Sequence, residues 1–312
     1  MWSKYPVINE ELTAFEEYLE TVLVSRSKFL TNASKDAVLS GGKRLRPAFT
    51  IIAALHGKYD REKVFPAAAS VEILHAATLV HDDIIDNAKT RRGKETLSEK
   101  HNTNLAVYTG DYLLTKSLKL LIKTGLKPEK LDVLARAITL LCEGEVDQYL
   151  NKYSVSSVYN YLKRILGKTG VLFSASLVLG AKTANLSDDI ARHFGRFGLS
   201  FGAAFQIRDD LLDIFSDSTK EGKPVLNDLK EGIATLPVIM AVKNNPNILK
   251  EVNVFFDGHG DINSILKSIK SSGGVRDTEK LKDRYKEKCR LYIEKIPYTP
   301  YTDAMSEIVN WL

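Results

Sequence analysis

LVHDDIIDNAKTRR, residues 79–92, sets three aspartates at positions i, i+1 and i+4 of an apolar segment. On a helix Asp82, Asp83 and Asp86 fall within about 100° of arc, close enough to repel one another. The residues that lead into and interrupt them, from Ala76 to Val80 and at Ile84 and Ile85, are apolar on nearly every side, as in a buried helix. A single triplet could be a charged helix face. A second copy argues against that, because FQIRDDLLDIF, residues 205–215, repeats the spacing at Asp209, Asp210 and Asp213. Two repelling triplets on apolar helices suggest two walls of one cavity with metal ions between them. All the donors are hard carboxylate oxygens, which favours Mg²⁺ over zinc.

The rest of the chain is consistent with a large helical core. With 312 residues and 44% hydrophobic content it can bury one, and no linker divides it, so a single domain over residues 1–312 is expected. Cys142 and Cys289 lie far apart without a CxxC spacing, which fits a reduced, cytoplasmic setting. The start, MWSKYPVINEEL, has no basic segment followed by an apolar run, and no stretch approaches about 18 uninterrupted apolar residues, so no transmembrane segment is expected. The net charge of +5, from 44 basic and 39 acidic residues, suits nucleic acid, a membrane surface or an anionic small substrate equally; placement must decide.

Placement favours the small anion. Asn9 can cap a first helix whose opening turn holds Glu10 and Glu11. GGKRLRP, residues 41–47, puts paired glycines and the cations Lys43, Arg44 and Arg46 ahead of a helix for which Pro47 suits the first position. Such a turn lets backbone approach a phosphate where the helix dipole already favours negative charge, although many basic turns are merely solvated. Arg91 and Arg92 follow the first triplet directly. His75 and His81 sit on its helix, where a histidine is usually a hydrogen-bonded core residue. Lys168, with Thr169 and Gly170, interrupts an apolar surface and needs an anion or water beside it. Glu143, Glu145 and Asp147 lack the triplet spacing and read as supporting or surface acids; Asp188 and Asp189 read as helix-start charge. Residues 215–237, rich in Gly, Pro, Asp and Lys, read as a loop able to fold over the site, with Lys223 its best phosphate contact. No strand alternation is evident, and the coarse picture is all-α.

Together GGKRLRP, LVHDDIIDNAKTRRG (79–93), GKT (167–169) and FQIRDDLLD (205–213), in this order and spacing, resemble the trans-isoprenyl diphosphate synthases. The similarity runs over almost the whole chain and includes GGVRDTEKLKDRY at 273–285. The resemblance implies an antiparallel helical bundle around a central active-site cavity, usually a homodimer, that joins isopentenyl diphosphate to an allylic diphosphate. It implies three Mg²⁺ ions, held principally by Asp82, Asp86 and Asp209 with Asp83, Asp210 and Asp213 in support. Arg91, Lys168 and Lys223 would then bind the allylic diphosphate, and Lys43, Arg46, His75 and Arg92 the isopentenyl diphosphate. Thr169 and Gln206 would lie beside the developing allylic cation. Positions four and five before the first cluster set product length in this family. Thr78 and Ala77 stand there, neither large, so a medium- to long-chain product is expected, with Val71, Leu74, Leu120 or Leu121 as a deeper stop.

One departure stands out: many relatives carry a lysine in a GK-x-T-x-P pattern where GIATLP places Ile233. A short-chain farnesyl or geranylgeranyl synthase differs mainly in the floor of the cavity. A terpene cyclase would share the first triplet, but its second metal motif normally mixes Asn, Ser or Thr with acids, and it has no need of GGKRLRP. A non-catalytic partner subunit of a heteromeric synthase would typically lose the triplets, both of which are present. Nucleic acid fits worst, because the cations lie beside acids and no aromatic-interleaved basic stripe occurs.

Overall fold

The computed structural model describes residues 2–215 and 226–312. Helices run as α1 (Pro6–Val22), α2 (Lys28–Val38), α3 (Leu45–Ala54) and α4 (Arg61–Ile85); a two-residue hairpin, β1 (Thr90–Arg91) and β2 (Lys94–Glu95), follows. Next come α5 (Leu97–Lys100), α6 (Thr103–Lys123), α7 (Pro128–Leu150), α8 (Val158–Ile165), a π-helical turn at Leu166–Gly170 and α9 (Val171–Thr183). The chain ends with α10 (Asp188–Phe215), α11 (Asn227–Lys230), α12 (Leu236–Asn244), α13 (Ile248–Phe256), α14 (Ile262–Ser271), α15 (Gly274–Ile293) and α16 (Pro300–Trp311). The fold is all-α, as the sequence predicts. Two compact units share it: Met1–Ala135 with Ala175–Gly195 and Ile296–Ala304, and Arg136–Ser174 with Arg196–Lys295 and Met305–Leu312.

The first unit is built on α4. Asp60 caps it by accepting from Glu62 N at 3.0 Å, so the helix begins one turn before Phe65, where the apolar pattern alone would start it. Its central residues are buried nearly all round, and it packs against α1, α2, α3 and α6. Each fully buried Val, Leu or Ile contributes about 1.5–3 kcal/mol. α6 runs antiparallel to α4. Near one end Ser117 Oγ donates to Ser70 O at 2.7 Å; near the other the His81 ring lies on Gly110, where a Cβ would stand 2.3 Å from Nε2.

The second unit surrounds the later half of α10. Phe173, Phe201 and Phe205 pack as an aromatic cluster, and Phe205 also meets Trp311. Gly202 lies against Gly170, where a Cβ would approach the Gly170 Cα to 2.5 Å, so the π turn seats directly on α10. A wide turn of this kind frequently marks a functional position.

Three local expectations change. Pro6 at the first helical position starts α1 a turn ahead of Asn9. α3 opens at Leu45, which leaves Pro47 inside its first turn. The hairpin is a short strand pair that alternation could not reveal, since its loop is Arg92–Gly93, both at positive φ (52° and 75°), the geometry of a type I′ turn. The helices Arg61–Ile85 and Val158–Thr183 are long and apolar enough to cross a membrane, but their apolar windows are 78% and 67% buried within the protein, as core helices are.

Candidate active site

In the first unit the glycine turn, the α4 acids and the hairpin converge on a cavity of about 600 Å³ lined by Gly41, Arg44, Glu72, His75, Asp83, Arg91 and Arg92 among others. Gly41 and Gly42 have φ of 92° and 137°, backbone that glycine adopts without strain. Arg92 Nη1 donates to Gly41 O, and a Cβ on Gly42 would meet that same nitrogen at 3.2 Å. The glycine pair is thus held to the hairpin by one guanidinium. Arg91 points the other way, with its Nε donating to Asp83 Oδ1 at 2.7 Å. Burial raises the Asp83 carboxyl above its ordinary value, against the pull of Arg91.

The three cations of GGKRLRP part company. Arg44, at φ 47°, turns inward, donating to Glu72 at 2.8 Å, to Val38 O at 2.9 Å and to Glu16. Its charge is therefore neutralised by protein carboxylates. Burial pulls Arg46 down to about 10, Glu72 opposing and Arg92 adding to the effect, so it stays charged at neutral pH. Lys43 is exposed. Burial, with Arg46, Arg92, Arg91 and Arg44 around it, holds His75 well below the usual imidazole range. His75 is accordingly a neutral hydrogen-bonding group among cations, a setting that calls for an anion.

On the last turn of α4 Asp82 is half-buried, Asp83 buried and Asp86, the C-cap residue, exposed. One turn earlier Ala77 is 2% exposed and Thr78 donates its hydroxyl to His75 O at 2.8 Å. Neither lines the 600 Å³ cavity. Val71, Leu74, Leu120 and Leu121 are all buried.

In the second unit Asp210 is buried and accepts three hydrogen bonds: from Tyr161 Oη at 2.6 Å, Leu236 N at 3.0 Å and Gln206 Nε2 at 3.2 Å. Burial raises its carboxyl while the three donors lower it. Thr169 Oγ1 donates to Gln206 Oε1 at 3.0 Å, and Lys168, on the same π turn, donates to Glu145 at 2.9 Å. Asp213 takes Asn227 N at 2.9 Å on one oxygen; its Oδ2 is buried without a hydrogen-bond partner among the described residues. Asp209 is accessible, 3.8 Å from Arg208. Burial first, then the charges of Asp213, Asp210 and Glu231, push Asp228 up to about 7. Lys223 lies outside the described residues, as do residues 216–225 of the loop expected over 215–237; the described remainder is not all loop, since it holds α11 and the start of α12. Ile233 is half-buried, and its N donates to Asp228 O at 2.8 Å, so the backbone there is tied down whichever side chain stands at 233.

Residues 27–269 match the family model described as polyprenyl synthetase. The chain belongs to the polyprenyl synthetase family. It is 35% identical to heptaprenyl diphosphate synthase component 2 of Geobacillus stearothermophilus, over 99% of this chain and 97% of that one. It is 37% identical to geranylgeranyl diphosphate synthase of Sulfolobus acidocaldarius over 75% and 73%. The crystal structure of heptaprenyl diphosphate synthase from Staphylococcus aureus superposes with a TM-score of 0.89 at 31% identity, covering 97% of this chain and 96% of the other. The protein is a trans-prenyltransferase, as its motifs led one to expect.

In this polyprenyl synthetase several residues that the motifs passed over hold the motif residues in place. Glu72, a lone acid in the apolar run AAASVEILHAA, gave a legible signal, because an acid so placed must be paired. Glu16, Tyr161 and Asp228 gave none. Glu145 reads as a supporting acid from spacing and does sit against Lys168.

Whether the residues suit Mg²⁺ can be judged from the second cluster. Oxygen donors crowd there, one of them without a partner among the described residues, and burial with the nearby carboxylates lifts Asp228; a hard cation would meet the orphaned oxygen and offset the repulsion. Among the described residues no group of three or more His, Cys, Asp or Glu side chains is gathered to hold a metal.

Proposed function

We propose that this polyprenyl synthetase condenses isopentenyl diphosphate with an allylic diphosphate to give a medium- to long-chain all-trans polyprenyl diphosphate, in an Mg²⁺-dependent ionisation, condensation and elimination. The carrying observation is the pair of small residues, Ala77 and Thr78, ahead of the first cluster, beside the likeness to a heptaprenyl synthase component over the full chain. Asp82, Asp86 and Asp209 are the principal metal ligands in this reading, with Asp83, Asp210 and Asp213 in support, around three ions. Bound metal would neutralise the diphosphate that leaves. Arg91, Lys168 and Lys223 bind the allylic diphosphate; Lys43, Arg46, His75 and Arg92 bind isopentenyl diphosphate. The neutral His75 contributes a donor without adding charge, while Arg46 and Arg92 supply the charge.

Prenyl transfer needs the leaving diphosphate stabilised and water excluded from an allylic cation. Thr169 and Gln206 offer oxygen dipoles to that cation. Lys168, now on Glu145, is within reach of an incoming diphosphate as a replacement partner. We further propose one catalytic domain over residues 1–312, since the chain passes five times between the two units, and a soluble, cytoplasmic homodimer. The likeness to a synthase component favours a second reading, in which a different subunit is required.

Incubating the purified protein with labelled isopentenyl diphosphate, Mg²⁺ and each of several allylic primers tests these readings together. Products of about six or more isoprene units from the chain alone support the first reading. Activity only after a second subunit is added supports the other. Full turnover after EDTA treatment would remove the metal assignment.

A further inference from the structure

Tyr161 lies on α8, one turn ahead of the π turn, and is 1% exposed. A buried tyrosine hydroxyl needs a partner, and this one spends its single proton on Asp210 Oδ2 at 2.6 Å. The consequence runs further than one hydrogen bond. An ionised carboxylate only accepts, so every polar group facing Asp210 must donate. Tyr161 and Leu236 N occupy Oδ2, and Gln206 must therefore present its NH₂ to Oδ1, 3.2 Å away. That choice decides the amide's other end. Gln206 Oε1 faces Thr169, 3.0 Å away, so the Thr169 hydroxyl donates to it and keeps both oxygen lone pairs for whatever lies next to it.

We propose that Tyr161 is a positioning residue for prenyl transfer: its hydroxyl anchors Asp210, Asp210 fixes the Gln206 amide, and that amide turns the Thr169 lone pairs toward the allylic cation. The inference rests on the reading that Thr169 and Gln206 lie beside that cation. The Arg164 guanidinium lies over the Tyr161 ring, 5.6 Å from its centroid, and the ring is buried, so the hydroxyl's direction is set by packing. Loss of the hydroxyl leaves Asp210 with Leu236 N and Gln206, frees the carboxylate to turn, and lets the amide sample both orientations. In the flipped orientation Gln206 presents NH₂ to Thr169, whose hydroxyl then accepts, which takes a lone pair from the cation.

Tyr161→Phe keeps the ring and removes only the donor. A lost hydrogen bond to a charged group corresponds to about a tenfold fall in kcat. The Michaelis constants for both diphosphates are expected to stay within about twofold, since no diphosphate contact changes. A less well-stabilised cation is captured more often by water, so allylic alcohol released per condensation rises. In a Thr169→Val background the same Tyr161→Phe change costs less than about twofold more, because its route to the cation is already cut. Wild-type kcat and alcohol ratio in Tyr161→Phe would overturn the inference, as would full additivity in the double variant. If Tyr161→Phe does not fold, 3-fluorotyrosine at position 161 keeps the ring and hydroxyl with altered donor strength. An unchanged alcohol ratio in that protein overturns the inference equally. The wild-type control separates the two levels: no prenyl product from any primer means the underlying function fails, whereas normal product with an indifferent Tyr161 means only the positioning role fails.

Discussion

The two aspartate triplets have the same spacing and opposite surroundings. On α4 the middle acid is paired to a guanidinium, and cations gather nearby: Arg44, Arg46, Arg91 and Arg92 all bear on His75. On α10 the middle acid accepts from three neutral donors, and Asp213, Asp210 and Glu231 add to the burial that pushes Asp228 up to about 7. Beside the first triplet the guanidinium groups of Arg46 and Arg92 bear on a neutral His75, whereas beside the second Lys168 is taken up by Glu145 and Arg208 lies 3.8 Å from Asp209. Identical sequence motifs can thus fill different electrostatic roles, decided by residues outside the motif.

The largest effect expected separates chemistry from support. Asp82→Ala and Asp209→Ala remove accessible acids, and each should lower turnover about 10²–10³-fold, the range for losing a group that stabilises leaving charge. Circular dichroism and melting temperature should stay near wild type for both. Asp210→Ala strands the buried Tyr161 hydroxyl and Leu236 N and the half-buried Gln206 amide, and should lower the melting temperature as well as turnover. A stable Asp210→Ala protein would mean that the second triplet is held no more firmly than the first.

The sequence made the triplets, the glycine turn and the helical class legible because each rests on local spacing. It did not make their partners legible. Glu16 and Glu72, which neutralise Arg44, are each 28 residues from it, and Tyr161 is 49 residues from Asp210. Contacts across such separations leave no periodic trace. The hairpin escaped for a different reason, since a ladder of two residues per strand is too short to alternate. Arg92 was legible as a cation but not as the clamp on Gly41, which depends on that turn.

The difference in charge should also appear in the pH dependence of stability. An ordinary Asp carboxyl ionises near 3.8, whereas Asp228 in the folded protein does so at about 7. Between those values the folded state binds more protons than the unfolded one, so stability falls as pH rises through the window and levels off above it. Three pH units correspond to at most about 4 kcal/mol. Metal-free wild-type protein should lose melting temperature between about pH 4 and 7 more steeply than Asp228→Asn. Mg²⁺ added above pH 7 should restore part of it in wild type. Parallel melting curves for the two proteins would show that burial and the carboxylates around Asp228 do not hold its proton.

The smallest effect on rate is expected one turn above the first triplet, where the two helices differ again. Positions four and five before Asp82 are Thr78 and Ala77, whereas those before Asp209 are Phe205 and Ala204. Phe205 is already packed against Phe173, Phe201 and Trp311, so bulk fills the level above the second triplet. On α4 the side chains at that level, Ala77 and Thr78, are themselves small. A helical turn rises about 5.4 Å, close to the length of one isoprene unit, so a small residue at that level leaves room for further units. Ala77→Phe should therefore bring to α4 the bulk α10 already has, shortening the main product while condensation continues at a rate within about a few-fold of wild type. Close packing is the competing role for an alanine that is 2% exposed, and it predicts a different outcome: overpacking destabilises by about 1–3 kcal/mol and leaves product length alone. Chromatography of the dephosphorylated products, read beside the melting temperature, distinguishes them. A wild-type product that already stops at about four isoprene units would show that some deeper side chain, such as Leu74 or Val71, closes the first region as firmly as Phe205 closes the second.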